Sequence, residues 1–205
     1  MLTSTYTLVA LSIEQTTVRV ALQSLADELR ALPRDYATLA SSRAAQLCAS
    51  LRRVVDNCHW RKLDKFLVPV LRRSSPAAAS LLADLEQLSL DAAAAMAEAQ
   101  ACVGEGERPV DRDRFCNAVE DCIAALRSRL EREEHELFPL ARAAVGSDAW
   151  FSIANQMLAH DAYARERRAA PKAGVAPSQP RHAFPDRDPL QPEFGRRHST
   201  LSIAH

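Results

Sequence analysis

The sequence predicts an all-α fold, an antiparallel up-down-up-down four-helix bundle with a short extra C-terminal helix and a disordered tail. Apolar residues recur every three or four positions through four long segments, which is the period of an amphipathic helix. Turns that contain Pro or Gly separate these segments, and no window alternates convincingly as a strand. We divide the chain of 205 residues into a bundle domain over 1–170 and a Pro-rich tail over 171–205.

The first two helices are each predicted by one apolar stripe. The first stripe has spacings of 7, 4, 3, 4 and 3 before Pro33 ends it, and consists of Leu11, Val18, Leu22, Leu25, Leu29 and Leu32. A second helix is expected from about Tyr36, and it continues through Leu63, Leu67 and Val70. Ser74, Ser75 and Pro76 close it, since such residues favour helix ends.

The remaining segments follow the same pattern. A third helix is expected over about 77–103, before a turn at 104–109, and a fourth over about 111–145. Gly146 suits a C-cap and Ser147 an N-cap, so the last helix is expected to start at Asp148. Six of the eleven prolines fall in 171–205, where too few aliphatic residues remain to offset the entropy of ordering.

Composition excludes several functional classes. Lys and Arg number 26 against 26 Asp and Glu, which argues against nucleic-acid binding. Five scattered glycines leave no place for a phosphate-binding loop. The five cysteines form no C-x-x-C motif and are expected to be small buried hydrophobes in a reduced, cytoplasmic protein. We expect no membrane association and no enzyme activity, because no signal peptide, spanning segment or catalytic spacing is evident.

An internal repeat links the second and fourth helices. His59, Leu63 and Leu67-Val68-Pro69 have the same offsets as Arg129, Glu133 and Leu137-Phe138-Pro139. A proline inside a helix kinks it, so the repeat predicts equivalent kinks related by pseudo-symmetry. Side chains at i and i+4 on facing helices are also how bundles build dinuclear metal centres.

The segment Glu133-Glu134-His135-Glu136-Leu137-Phe138-Pro139, followed by Asp148-Ala149-Trp150, resembles the last helix and following turn of the hemerythrin-like HHE domains. Residues 59–69 resemble their second helix and 13–25 their first, so the resemblance covers about 10–165. It implies an antiparallel four-helix bundle that, in active members, holds a carboxylate-bridged di-iron centre. Such centres serve oxygen handling, iron sensing or redox protection.

The resemblance also implies which positions correspond to the family's iron ligands. His residues of the family fall at Gln15, His59, Ser89 and Arg129, and its Glu residues fall at Leu63 and Glu133. Only His59 and Glu133 keep the ligand type, and Trp60 replaces the second His of a frequent His-His pair. We therefore expect a vestigial, insufficient metal site formed by His59 and Glu133.

Two of these replacements change the chemistry of the site. Leu63 has no lone pair with which to bridge two ions. Arg129 is always protonated, so its guanidinium would repel the ion it replaces. We hypothesise that Arg129 pairs with Glu133 inside the bundle, with His59 and Gln15 as neighbours, so that an organic cation fills the metal's place.

Three functional interpretations stay open at this point. The first is a structural, sensory or protein-interaction module without a cofactor, whose protein partner is unknown. The alternative is an iron- or oxygen-binding protein that uses a rearranged ligand set of His59, Glu133, Glu134 and His135. The third, an oligomeric scaffold built through the outer helix faces, cannot be distinguished from the first by sequence. His135 and His160 are expected at the surface, and the other three histidines belong to the tail.

Overall fold

The computed structural model describes residues 2–33, 37–59, 61–103 and 109–169. The predicted tail over 171–205 and Trp60 lie outside these residues. Within the described part the chain is almost entirely helical, which confirms the all-α prediction. No helix among these residues combines the length and the apolar character that crossing a membrane requires.

Four long helical segments form the bundle, and two of them are interrupted. The first is α1 (Leu2–Arg30), and the third is α4 (Ala79–Val103) preceded by a 3-10 turn over Pro76–Ala78. The second segment consists of α2 (Ser41–His59), a π-helical turn π1 (Leu63–Leu67) and α3 (Val68–Ser74). The fourth consists of α5 (Arg112–Arg132), a π-helical turn π2 (Glu133–Leu137) and α6 (Phe138–Ala144).

The expectation of one continuous second helix is wrong. Residue 61 is not helical, and helix resumes only at Lys62. The final helix, α7 (Ser147–Ala169), is also 23 residues long rather than short, and it begins at Ser147 rather than Asp148. Its Trp150, Ile153 and Met157 are buried against the bundle, so the first half of this helix contributes to the core.

Two short strands pair with each other between the helices, although no strand was expected from the sequence. β1 (Thr38–Leu39) pairs antiparallel with β2 (Val110–Asp111), and Leu39 lies opposite Val110. Both apolar side chains are buried, while the Asp111 carboxylate accepts a 3.1 Å hydrogen bond from the Arg114 N–H and caps α5. Strands of two residues are too short to produce an alternating pattern.

The two π-helical turns lie at equivalent places in the second and fourth segments. In each turn an N–H bonds to a carbonyl five residues earlier, from Val68 to Leu63 and from Phe138 to Glu133. Pro69 and Pro139 follow one residue later. Because the proline ring crowds the carbonyl four residues back, a wider turn gives the ring more room. The repeat in the sequence therefore corresponds to a repeated local structure.

The bundle core consists of two hydrophobic clusters. One cluster lies around Leu22, Leu51 and Phe115, and the other around Leu11, Leu67 and Ile153. Four of the five cysteines are buried within the helices, Cys102 is half-buried, and all five are free. Burial raises the pKa of the Cys122 thiol to about 12, as expected for a small hydrophobe that stays protonated.

Candidate functional site

A group of polar side chains lies between the two hydrophobic clusters, and we call it the polar centre. Each of the four long segments contributes to it, so it occupies the middle of the bundle. Its members are Gln15 from α1, Arg61 and Asp64 from the second segment, Ser89 from α4, and Arg129 and Glu133 from the fourth segment.

The positions of these residues follow from the apolar stripes. On α1, Gln15 lies between Leu11 of one cluster and Val18 of the other. On α4, Ser89 lies between Leu85 and Ala92 in the same way. A residue that takes the place of an apolar one within a buried stripe points inward, so helical periodicity brings these polar groups into the core.

Glu133 is the hub of the polar centre and is fully buried, with an exposed fraction of 0%. Its Oε1 accepts a hydrogen bond of 3.0 Å from Arg129 Nε and a second from Arg61 Nη2. Its Oε2 accepts a 2.8 Å bond from Gln15 Nε2. Both carboxylate oxygens are therefore occupied by donors from three different segments.

Arg129 connects Glu133 to the rest of the polar centre. Its Nη1 donates to Ser89 Oγ at 2.5 Å, and its Nη2 donates to Asp64 Oδ1. The Ser89 hydroxyl donates in turn to the Leu85 carbonyl at 2.9 Å. The guanidinium thus bonds to three side chains from three segments, which matches its fixed fork of five N–H donors.

The charges of the polar centre balance formally. Two guanidinium groups, Arg61 and Arg129, face two carboxylates, Glu133 and Asp64. Burial lowers the pKa of Arg61, but the adjacent Glu133 carboxylate more than offsets this, and the net direction is upward. Burial raises the pKa of Asp64, and the attraction of Arg129 and Arg61 offsets this only in part. Within the polar centre, the charged form is therefore favoured for Arg61 and disfavoured for Asp64.

Two atoms of the polar centre are buried without a hydrogen-bond partner among the described residues, Arg61 Nε and Asp64 Oδ2. Asp64 is also the most exposed member of its ion pair, with 28% of its side chain accessible. An unpaired buried oxygen disfavours the charged form of the Asp64 carboxyl. This agrees with the raised pKa of Asp64.

The comparison with known families decides the identity of the fold. A model of the hemerythrin HHE cation-binding domain matches residues 17–141, which is more than half of the chain. The chain belongs to the hemerythrin HHE cation-binding family. Neither the curated proteins nor the solved structures gave a match.

Four of the six positions at which the sequence resemblance places the family's ligands meet in the polar centre. They are Gln15, Ser89, Arg129 and Glu133. A fifth position, Leu63, is buried in a hydrophobic cluster and is the first residue of π1, as Glu133 is of π2. The sixth, His59, is the last residue of α2, and its side chain lies outside the described part of the chain.

The three described members of the rearranged ligand set in this HHE chain, Glu133, Glu134 and His135, do not share one environment. Glu133 is fully buried, whereas Glu134 and His135 are exposed, and Glu134 bonds to Arg19 at 2.6 Å. Neighbouring residues on a helix point in different directions. Glu133 is therefore buried, whereas the other glutamates of this acidic run are exposed. Across the described ranges, no three His, Cys, Asp or Glu side chains are grouped to hold a metal ion.

His160 does not lie at the surface as expected. It is half-buried on α7, where its ring meets the edge of Phe66 at 5.7 Å between centroids. Its neighbour Asp161 accepts a 2.9 Å bond from Lys62 Nζ. His135 is exposed, as the sequence predicted.

Sequence reasoning missed Arg61 and Asp64. Arg61 lies in the non-helical break and Asp64 in π1, where the rotation per residue departs from that of an α-helix. Extrapolating the α-helical stripe across 59–70 places Leu63 and Leu67 in the core correctly, but it does not indicate that Arg61 and Asp64 also point inward. The available signal was the repeated proline, which marks the place where regular periodicity stops.

Proposed function

We propose that this HHE domain is a metal-independent member of the family, in which a network of buried ion pairs replaces the di-iron centre. It has no enzymatic role and acts as a structural, sensory or protein-interaction module in the cytoplasm. The observation that carries the proposal is the double guanidinium contact to Glu133, from Arg129 and from Arg61.

The donor set of the polar centre does not fit a carboxylate-bridged pair of iron ions. Bridging needs carboxylate lone pairs, but hydrogen bonds engage both oxygens of Glu133. Leu63 offers none. Arginine cannot lose its proton in a protein and has no acceptor atom, so Arg61 and Arg129 bring positive charge to the place where a cation would have to enter.

The same contacts explain how a bundle can keep Glu133 without a metal. A buried carboxylate without a partner costs several kcal/mol, and an ion at this position would otherwise supply the compensating charge. Here Arg129 supplies that charge from one turn away in the fourth segment. Arg61 supplies a second positive charge from the second segment. The network also ties all four segments together, which is the structural role that we assign to it.

Metal analysis tests the proposal directly. The full chain is produced in iron-supplemented medium, purified without chelator and examined for bound iron and for near-ultraviolet absorption. We expect colourless protein with no stoichiometric iron and a melting temperature that neither EDTA nor added ferrous iron changes. Two irons per chain, with oxo-bridge absorption bands, would overturn the proposal and support an iron- or oxygen-binding function with a different ligand set.

A further inference from the structure

The outer face of α1 carries a second apolar stripe that nothing in the described chain covers. Leu2, Tyr6, Val9, Ile13 and Val20 are between 53% and 90% exposed. They lie at spacings of 4, 3, 4 and 7, with the exposed Thr16 in the remaining position. This alternation of three and four is the spacing of a coiled-coil seam, and it lies apart from the stripe that faces the core.

The seam is free of uncompensated charge. From Leu2 to Ile13 the helix contains no charged residue. The two charges farther along are both engaged within the chain, since Glu14 binds Lys62 and Arg19 binds Glu134. A surface helix that is largely apolar on both faces is normally covered on both.

A groove between α1 and α6 borders the seam. Leu8, Val9, Phe138 and Pro139 line it together with the charged residues Glu134 and Arg142. A largely apolar surface that includes a few charged side chains is typical of a protein interface. The groove widens the apolar surface beyond the single helix.

We propose that the α1 seam, together with this groove, is the contact surface for a second copy of the same chain. An isologous contact places the same patch against itself, so a surface without net charge meets no like-charge repulsion there. The seam is about 27 Å long at the rise of an α-helix. Covering it and the groove on both copies buries on the order of 1,000 Å², which is the lower limit for a specific interface.

The composition of the seam argues against an anionic membrane and against a strongly charged partner. Helices that lie on anionic membranes carry Lys and Arg along their polar face, and α1 has none before Arg19. A strongly acidic or basic protein partner would find no complementary charge on this face. The self-contact does not depend on whether the polar centre binds metal, so its test is separate from that of the proposed function.

Sedimentation velocity of the full chain over a wide concentration range tests the proposal. We expect a reversible dimer for the unmodified chain and a monomer for the double variant Val9→Glu and Ile13→Glu, with a dissociation constant raised roughly 100-fold or more by like charges in the seam. Leu90→Glu is the matched control, because Leu90 is 58% exposed on α4, and it should leave the dimer intact. Circular dichroism checks that each variant keeps its helix content.

Hydrogen exchange locates the contact within the chain. Exchange over residues 2–20 should slow as the concentration of the unmodified chain rises, and should be independent of concentration in the double variant. A chain that stays monomeric at every concentration would overturn the proposal. A dimer that survives in the double variant would overturn it too, as would binding of the monomer to phosphatidylcholine vesicles through α1.

Discussion

Arg129 Nε lies 3.0 Å from Glu133 Oε1, one turn apart on the same helix and inside the core of a four-helix bundle. The same spacing is repeated three residues farther along by Arg132 and Glu136, whose Nε and Oε1 are 2.8 Å apart near the surface. The two pairs have the same chemistry and different surroundings. They therefore allow the effect of burial to be measured within one helix.

Replacing Arg129 by methionine should destabilise the fold by about 3 kcal/mol or more, because it leaves the buried Glu133 with one cation fewer. The change also removes the hydrogen bonds that Arg129 donates to Ser89 and to Asp64. Chemical denaturation followed by circular dichroism measures the free energy of unfolding.

Arg132→Met provides the control for that measurement. Its pair with Glu136 is partly exposed, and exposed pairs contribute between about 0 and 1 kcal/mol. Equal losses in Arg129→Met and Arg132→Met would contradict a structural role for the buried pair.

Asp64 should make the stability depend on pH in an unusual direction. Burial raises the pKa of its carboxyl above the ordinary 3.8, so above that pH the folded state binds more protons than the unfolded state. The contribution of Asp64 to the free energy of unfolding is then greatest below pH 3.8. This contribution is lost as the pH rises through the pKa that Asp64 has in the folded state.

Comparison with Asp64→Asn isolates this effect, since asparagine does not titrate. The stability of the unmodified chain relative to Asp64→Asn should fall as the pH is raised from about 3.8 towards neutrality. A rise over the same range would mean that the ion pair with Arg129 outweighs the cost of burial, contrary to this prediction.

The sequence predicted the bundle well, because long stripes such as the one from Val18 to Leu29 determine which face of each helix is buried. Gln15 and Ser89 could be placed by the same stripes. Arg61 could not, because it lies where the helix is interrupted and periodicity gives no direction. The length of α7 was missed because its apolar residues are spread around the helix, with Phe151 and Tyr163 exposed and Trp150 and Ile153 buried.

Restoring the family's ligand types should restore iron binding only if Arg61 is also changed. The required set is Gln15→His, Leu63→Glu, Ser89→His and Arg129→His, with His59 and Glu133 retained. While Arg61 bonds to Glu133, its charge repels an incoming ion and occupies a bridging oxygen. We expect two irons per chain, measured by metal analysis, only after Arg61→Gln is added to the other four changes. Equal iron content with and without Arg61→Gln would show that this arginine does not oppose the metal.

Lys62 should hold α7 against the rest of the bundle. Its Nζ lies 2.8 Å from Asp161 Oδ1 on α7 and 3.3 Å from Glu14 Oε1 on α1, and only 15% of its side chain is exposed. Burial lowers the pKa of Lys62, but the attraction of Asp161 and Glu14 raises it by more than burial lowers it. The pKa of Lys62 is therefore higher than its ordinary value. Lys62→Met should therefore reduce the free energy of unfolding by about 1 kcal/mol.

The pH dependence distinguishes this contact from simple packing. A lysine with a raised pKa contributes its full stabilisation below the ordinary pKa of 10.5 and loses it as the pH rises through the folded pKa. The difference in stability between the unmodified chain and Lys62→Met should thus be constant up to about pH 10 and shrink above it. Arg72→Met serves as the control, because Arg72 pairs with Glu86 at an exposed site. A Lys62→Met difference that persists unchanged in strong alkali would assign the effect to packing of the lysine's methylene groups rather than to its charge.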